Sequence, residues 1–125
     1  MEVSLLYYFR VLLTLSKRAF GRLSEERAAK FLAQKNFQIL ARNFHTPEGE
    51  VDLIARDQDL IVFVEVKARR SAKFGTALEA VTPAKLARVV KAGEVWLERN
   101  GYAGADFRVD VVGWEGGRVE YLCGV

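Results

Sequence analysis

The fold is decided by residues 49–68, GEVDLIARDQDLIVFVEVKA, in which two apolar segments flank a short polar one. Residues 50–55 and 60–68 are rich in Val, Ile, Leu and Phe, which favour strands, whereas residues 56–59 (RDQD) are polar. This pattern predicts a β-hairpin. Carboxylates and a lysine interrupt both apolar segments, so the hairpin carries charge on strands that are otherwise suited to a core.

The charged side chains of the second strand fall on one face, because side chains alternate between the two faces of a strand. Glu65 and Lys67 therefore share a face with Ile61 and Phe63, while the valines between them point the other way. An acid and a lysine in this position need a reason beyond packing.

The register of the hairpin decides which acids meet. If residues 56–59 form the whole turn, Ala55 pairs with Leu60. Asp52 then lies diagonal to Glu65, at ~7–8 Å between backbones, and Glu50 lies directly opposite Glu65. Facing carboxylates repel each other, and an uncompensated buried carboxylate costs several kcal/mol, so a cation is expected.

Two cations are candidates, Lys67 and a divalent metal ion. Oxygen ligands from Asp52, Glu65 and the backbone carbonyl of Val66 suit Mg²⁺ or Mn²⁺. Composition argues against a structural zinc site, since the chain has one Cys and one His. A divalent ion beside an ammonium group is typical of phosphodiester cleavage.

A family resemblance begins with Asp52 followed by Glu65-Val66-Lys67, which resembles the PD-(D/E)XK nuclease motif, with Val51 where a Pro is usual. That motif alone is common by chance. A wider set of segments, from about Gly21 to about Val112, resembles the YraN-like family of uncharacterised bacterial proteins. These segments are Ser24-Glu25-x-x-Ala28-x-x-Phe31-Leu32, Ile39-Leu40-Ala41-Arg42-Asn43, Gly49 to Ala55, Val62 to Arg69, Phe74-Gly75 and Ala80-Val81-Thr82 with Lys85 and Arg88.

The resemblance implies a restriction-endonuclease-like fold of the Holliday-junction-resolvase type. It implies catalytic roles for Glu25, Asp52, Glu65 and Lys67, and it makes Glu25 a further metal ligand beside Asp52, Glu65 and Val66. Glu25 also has a simpler explanation, since an acid in the first turn of a helix is favoured electrostatically. Ser24 stands where the family usually has Gly.

Basic residues adjoin the acidic strands, although the net charge of +3 is mild. Clustered Lys and Arg are the electrostatic footprint of nucleic-acid binding, and DNA is the expected partner. The alternative is an ordinary solvated helix face. The residues predicted to contact nucleic acid are Arg42, Arg69, Arg70, Lys85 and Arg88.

The remaining pattern predicts an α/β fold, a mixed central sheet flanked by helices, in the order α-β-β-β-α-β-β. Ser24 is expected to cap a helix that ends near Gln34, and Thr82-Pro83 to open a second one that ends near Arg99. Further strands are predicted at residues 37–44, 107–112 and 119–122. Asp110 is expected to point outward or to pair with an Arg.

The chain divides into an apolar N-terminal segment, residues 1–20, and one domain, residues 21–125. The first segment is too short and too charged to span a membrane. We expect it to form a helix that packs on the domain or on a second subunit, with association with a membrane surface as the alternative. Packing on a second subunit would make the protein a homodimer. The lone Cys123 favours a reducing, cytoplasmic location.

Three functions fit these observations. The first is a Mg²⁺- or Mn²⁺-dependent nuclease that acts on structured or branched DNA. The second is a nucleic-acid-binding module that keeps the scaffold without turnover, because fold does not guarantee activity. The third is an interaction protein that assembles through its N-terminus and has little affinity for DNA.

Overall fold

The computed structural model describes residues 16–69 and 78–125, so the apolar segment up to residue 15 and Arg70 lie outside the described residues. The predicted order of helices and strands is confirmed. The elements are α1 (Lys17–Gln34), β1 (Gln38–Thr46), β2 (Gly49–Asp57), β3 (Leu60–Arg69), a 3-10 turn (Leu78–Ala80), α2 (Pro83–Arg99), β4 (Phe107–Glu115) and β5 (Arg118–Leu122).

The five strands form one mixed sheet in the order β1-β2-β3-β4-β5. Neighbouring strands are antiparallel except β3 and β4, which are parallel and are connected through α2. A parallel pair needs such a crossover, and a helix is its usual form. This α/β architecture is restriction-endonuclease-like, as predicted.

The helices cover opposite faces of the sheet. On one face, α1 packs through Ala28, Ala29 and Leu32 against side chains such as Val62 and Val64. On the other face, α2 packs through Val89, Ala92, Trp96 and Leu97 against side chains such as Ile61 and Phe63. The alternation predicted for β3 is therefore confirmed. Among the described residues, no helix combines the length and apolar character needed to cross a bilayer.

The second helix begins as its sequence predicts. The Thr82 hydroxyl accepts a hydrogen bond from the Lys85 backbone N–H at 3.2 Å, and Pro83 occupies the first turn. The helix ends at Arg99 with Asn100 as its C-cap.

The first helix begins earlier than the sequence predicts. Its N-cap is Ser16, whose hydroxyl accepts from the Ala19 N–H at 3.1 Å. Ser24 lies inside the helix, where its hydroxyl donates to the Phe20 carbonyl at 2.9 Å. The expectation that Ser24 caps the helix is wrong: residues 17–23 are also helical, because burying Phe20 offsets the ~1 kcal/mol that the helical Gly21 costs.

The hairpin register also differs from the prediction. Asp57 pairs with Leu60, so the turn consists of Gln58 and Asp59 alone, and Gln58 adopts a φ of 57°. Ala55 pairs with Val62 rather than with Leu60. The polar residues at the end of β2 tolerate strand conformation because they are not fully buried, so their polarity does not mark the turn.

Asp110 is buried rather than outward, and it pairs with an Arg as the alternative expectation proposed. Its oxygens accept from Arg108 at 2.9 and 3.2 Å and from the Gly124 N–H at 2.9 Å, and the Tyr121 hydroxyl makes a further short contact. A buried carboxylate that accepts this many hydrogen bonds is tolerated in the core, because they compensate for its loss of water. It anchors the C-terminal residues to β4.

Candidate active site

The central feature of the site is a fork between two strands. The β2–β3 ladder runs from Asp57–Leu60 to Leu53–Val64 and ends there, although both strands continue. Beyond that pair, β2 pairs only with β1, and β3 pairs only with β4. Asp52 and Glu65 are the first residues past the end of the ladder. The two acids therefore lie next to each other at the point where the strands separate.

Asp52 bridges the fork with its side chain. Its Oδ2 accepts a hydrogen bond from the Val66 backbone N–H at 2.8 Å. The contact takes the place of a ladder hydrogen bond and satisfies a donor that the diverging strand would otherwise leave unpaired. It also fixes the carboxylate beside the β3 backbone, next to Glu65.

Glu65 is buried, with an exposed fraction of 4%. Its Oε1 lies 3.6 Å from the Lys85 ammonium of α2, and its Oε2 is buried without a hydrogen-bond partner. Buried carboxylate oxygens are rarely left unpaired, because the desolvation cost is large. The free oxygen therefore indicates a position suited to a ligand with positive charge.

Glu25 reaches the same region from α1. It lines an open cleft with Val66 and Lys67, and the Asn43 side chain forms a hydrogen bond with it. Asn43 has a φ of 51°, a conformation that Asn tolerates better than most residues. Because α1 begins at Lys17, Glu25 is not a first-turn residue, and the helix-dipole explanation for it is wrong.

The carboxylates raise one another's pKa. Burial and the neighbouring Glu65 raise the pKa of Asp52 to about 8, against the opposing effect of the Val66 hydrogen bond. Burial also raises the pKa of Glu65 and of Glu25, although Lys85 and Asn43 respectively act in the opposite direction. Burial thus favours the protonated forms of these carboxyls, and a cation bound among them would favour the charged forms.

Two lysines adjoin the acids. Lys67 lies on β3 next to Glu65, and burial lowers its pKa, with the neighbouring Lys85 as the next cause. Two ammonium groups at close range repel each other. We therefore attribute the proximity of Lys67 and Lys85 to attraction by the surrounding carboxylates. Lys85 was predicted to contact nucleic acid, with an ordinary solvated helix face as the alternative, and its ammonium lies 3.6 Å from Glu65 Oε1.

Glu50 and His45 also belong to this surface, although the sequence did not single them out as site residues. His45 Nδ1 lies 2.9 Å from Glu50 Oε2. Glu50 in turn raises the pKa of Asp52, Glu65 and Glu25. The predicted hairpin register had already placed Glu50 opposite Glu65, and that was the signal for including it among the site residues.

The donor set fits a hard divalent ion in its chemistry. Carboxylates, a backbone carbonyl and no thiolate are the ligands of Mg²⁺ or Mn²⁺. Within residues 16–69 and 78–125, however, no three Asp, Glu, His or Cys side chains are already arranged as a metal cage. The acids lie near one another, and Glu65 Oε2 is buried without a hydrogen-bond partner. The Lys85 ammonium lies 3.6 Å from the other oxygen of Glu65.

The predicted nucleic-acid contacts lie around the cluster in different environments. Arg42 is exposed and pairs with Glu26 at 2.8 Å, and Arg88 is exposed on α2. Arg69 follows Lys67 on β3, and its Nε is buried without a partner. Arg70 lies outside the described residues.

Comparison with known proteins identifies relatives across most of the chain. Residues 24–113 match the family described as "Uncharacterised protein family UPF0102". A UPF0102 protein of Syntrophomonas wolfei is 46% identical over 95 residues, which cover 76% of this chain and 83% of that protein. A UPF0102 protein of Renibacterium salmoninarum is 38% identical over 115 residues, 88% of this chain and 98% of that protein. A UPF0102 protein of Symbiobacterium thermophilum is 44% identical over 100 residues, which cover 80% of this chain and 85% of that protein.

Proposed function

The chain belongs to the uncharacterised protein family UPF0102, the YraN-like family that its motifs predict, and we propose that it is a metal-dependent nuclease that hydrolyses phosphodiesters in structured or branched DNA. The observation that carries the proposal is the buried, unpaired Oε2 of Glu65 beside Asp52 at the strand fork. An apolar sheet gains nothing in stability from two acids at that place, so the acids are better explained by chemistry.

The residues suited to hold Mg²⁺ or Mn²⁺ are Asp52, Glu65 and the backbone carbonyl of Val66, with Glu25 from the opposite helix. A divalent ion bound there would polarise a phosphoryl oxygen and activate water. Asp52 is oriented for this role by the Val66 N–H, and Glu65 by its burial.

Lys67 is suited to act on the reacting phosphate. Lys67 interacts electrostatically with Glu65 and lines the open cleft that Glu25 also lines. From there Nζ can donate a hydrogen bond to a developing negative charge or orient the attacking water. The lowered pKa of Lys67 makes proton transfer at Nζ easier than for an exposed lysine.

DNA is the proposed substrate because basic side chains border the acids on both helices and on β3. Lys17 lines the cleft beside Glu25, Arg69 follows Lys67, and Arg88 is exposed on α2. Phosphate contacts of this kind release counterions, so affinity for DNA should fall steeply with salt. A cytoplasmic location, favoured by the lone Cys123, would be consistent with such a substrate.

The test is cleavage of linear, flapped and four-way DNA by the full chain with Mg²⁺, with Mn²⁺ and with chelator. Glu65→Gln keeps the shape of the side chain and removes its charge, so it should abolish cleavage. Glu98→Gln is the matched control, because Glu98 is exposed near the C-terminal end of α2, thirteen residues after Lys85. Salt-sensitive DNA binding without cleavage under either metal would make the chain a binding module, and absence of DNA binding would overturn the nuclease proposal altogether.

A further inference from the structure

Lys85 occupies a position that its sequence does not explain. It is in the first turn of α2, where its backbone N–H is fixed by the Thr82 hydroxyl. Its side chain is 38% exposed and extends to Glu65, with Nζ 3.6 Å from Oε1. A lysine that served only for solubility would extend away from the sheet, as Lys91 does on the exposed side of the same helix.

The backbone of α2 is held firmly at this place. A Cβ on Gly49, at the start of β2, would lie 2.6 Å from the Arg88 carbonyl oxygen, so strand and helix are in close contact one turn after Lys85. The helix start is therefore fixed relative to the acids. The Lys85 side chain, by contrast, has four rotatable bonds and a partly exposed ammonium, so it can leave Glu65 without movement of the backbone.

We infer that Lys85 is a built-in counter-ion for the acidic cluster, which is displaced from Glu65 when a divalent ion binds and then contacts the DNA phosphate. This inference rests on the proposed metal-dependent nuclease. An ammonium group and a divalent ion next to the same carboxylate repel each other, so binding of the ion and the Lys85–Glu65 contact are mutually exclusive or nearly so. The displaced ammonium has a partly open path to the surface on which DNA would lie.

The arrangement has two consequences. In the metal-free protein, Lys85 lowers the cost of burying Glu65 and so supports the fold. In the metal-bound protein, the released ammonium adds a positive contact for phosphate, so metal and DNA would each strengthen the binding of the other. A nuclease built this way assembles its full phosphate-binding surface only when its metal is present.

The experiment is titration calorimetry of the full chain with Mn²⁺ in the absence of DNA. Lys85→Met removes the competing charge and keeps the length of the side chain, so Mn²⁺ should bind more tightly, by about tenfold if the competition is worth ~1.4 kcal/mol. Lys91→Met is the control on the same helix and should match the parent chain. Lys85→Arg keeps the charge and should also stay near the parent affinity.

Unchanged or weaker Mn²⁺ binding in Lys85→Met, with binding intact in the parent chain, overturns the role of Lys85 and leaves the proposed nuclease standing. Absence of Mn²⁺ binding in the parent chain overturns both. If Lys85→Met fails to fold, Lys85→Gln provides the same comparison with a polar side chain.

The second step is measured by fluorescence anisotropy of a labelled four-way junction, with and without Mn²⁺. Lys67→Ala serves as the background, to suppress cleavage. The gain in DNA affinity on adding Mn²⁺ should be smaller in Lys67→Ala/Lys85→Met than in Lys67→Ala. An equal gain would show that the ammonium does not reach the phosphate and would overturn that part of the inference.

Discussion

The Asp52 carboxylate accepts a hydrogen bond from the Val66 backbone N–H at 2.8 Å, across the place where the β2–β3 ladder has already ended. In the fork, the Asp52 side chain thus accepts the kind of hydrogen bond that a backbone carbonyl accepts in the rest of the ladder. Because Asp52 is fixed in this way beside Glu65, its protonation state depends on the cluster as a whole, and this dependence can be measured.

In the absence of metal, the free energy of unfolding should decrease as pH rises, because the folded chain keeps Asp52 protonated to higher pH than the unfolded chain does. Its pKa is about 8 in the folded chain against 3.8 for an ordinary Asp, so between these values the folded state holds a proton that the unfolded state has lost. Stability from this group is full below about pH 4 and is lost progressively up to about pH 8. Asp52→Asn stays neutral and can still accept from Val66.

Thermal unfolding of both proteins in chelator, at pH 5 and pH 8, tests this expectation. The melting temperature of the parent chain should fall more between the two values than that of Asp52→Asn. Equal slopes would mean that Asp52 is already ionised in the folded protein at pH 5.

Metal affinity should depend on the acids in a definite order. Asp52→Ala or Glu65→Ala removes an oxygen ligand and should lower Mn²⁺ affinity sharply, while the fold survives because relief of repulsion offsets lost contacts. Glu25→Gln should have a smaller effect, since Glu25 reaches the cluster from α1 and is only partly buried. Calorimetry on the three variants gives the order, with the exposed Glu98→Gln at the far end of α2 as control, and wild-type affinity in both alanine variants would refute the site.

Lys67 is expected to act on rate more than on binding. Loss of one positioned donor to a transition state lowers turnover by about 100-fold or more. Lys67→Ala should therefore cut junction cleavage by about that factor with little change in DNA affinity. Single-turnover rates and anisotropy measured on the same substrate separate the two quantities, and equal losses in both would make Lys67 a phosphate anchor.

The packing of α2 on the sheet depends on Gly93. A Cβ at this position would lie 2.4 Å from the Phe63 ring, and that ring is fully buried. Gly93→Ala gains ~1 kcal/mol of helix propensity but overpacks the core at a cost of ~1–3 kcal/mol, so the net effect should be destabilising. Gly21→Ala in α1 is the matched control, because nothing lies within 4 Å of its Cβ.

Urea unfolding of the two alanine variants should shift in opposite directions, with Gly21→Ala more stable than the parent chain. Phe63→Leu in the Gly93→Ala background should recover part of the loss if the clash is its cause. A stabilised Gly93→Ala variant would mean that the ring can move aside.

Much of the fold follows from local patterns in the sequence, and what the sequence missed depends on long-range packing. The Thr82-Pro83 start of α2 and the alternation along β3 are visible because capping and side-chain alternation act over a few residues. The start of α1 was missed because burial of Phe20 against the domain overrides the unfavourable Gly21. The proximity of Lys85 to Glu65 was missed because it depends on how α2 lies across the sheet.

The apolar N-terminal segment leads to a last prediction, on assembly. Tyr7, Phe9 and Leu12 are among its large apolar side chains, and such a surface is normally covered. We expect a homodimer at micromolar concentration, in which two sites related by a two-fold axis would suit the two strands of a junction. Truncation at Gly21 would cut α1 and remove the buried Phe20, so the chain should instead be shortened to begin at Ser16, which caps the helix. Light scattering should show a dimer for the full chain and a monomer for the shortened one. A monomeric full chain would refute the dimer, and a dimeric shortened chain would place the interface on the α/β domain.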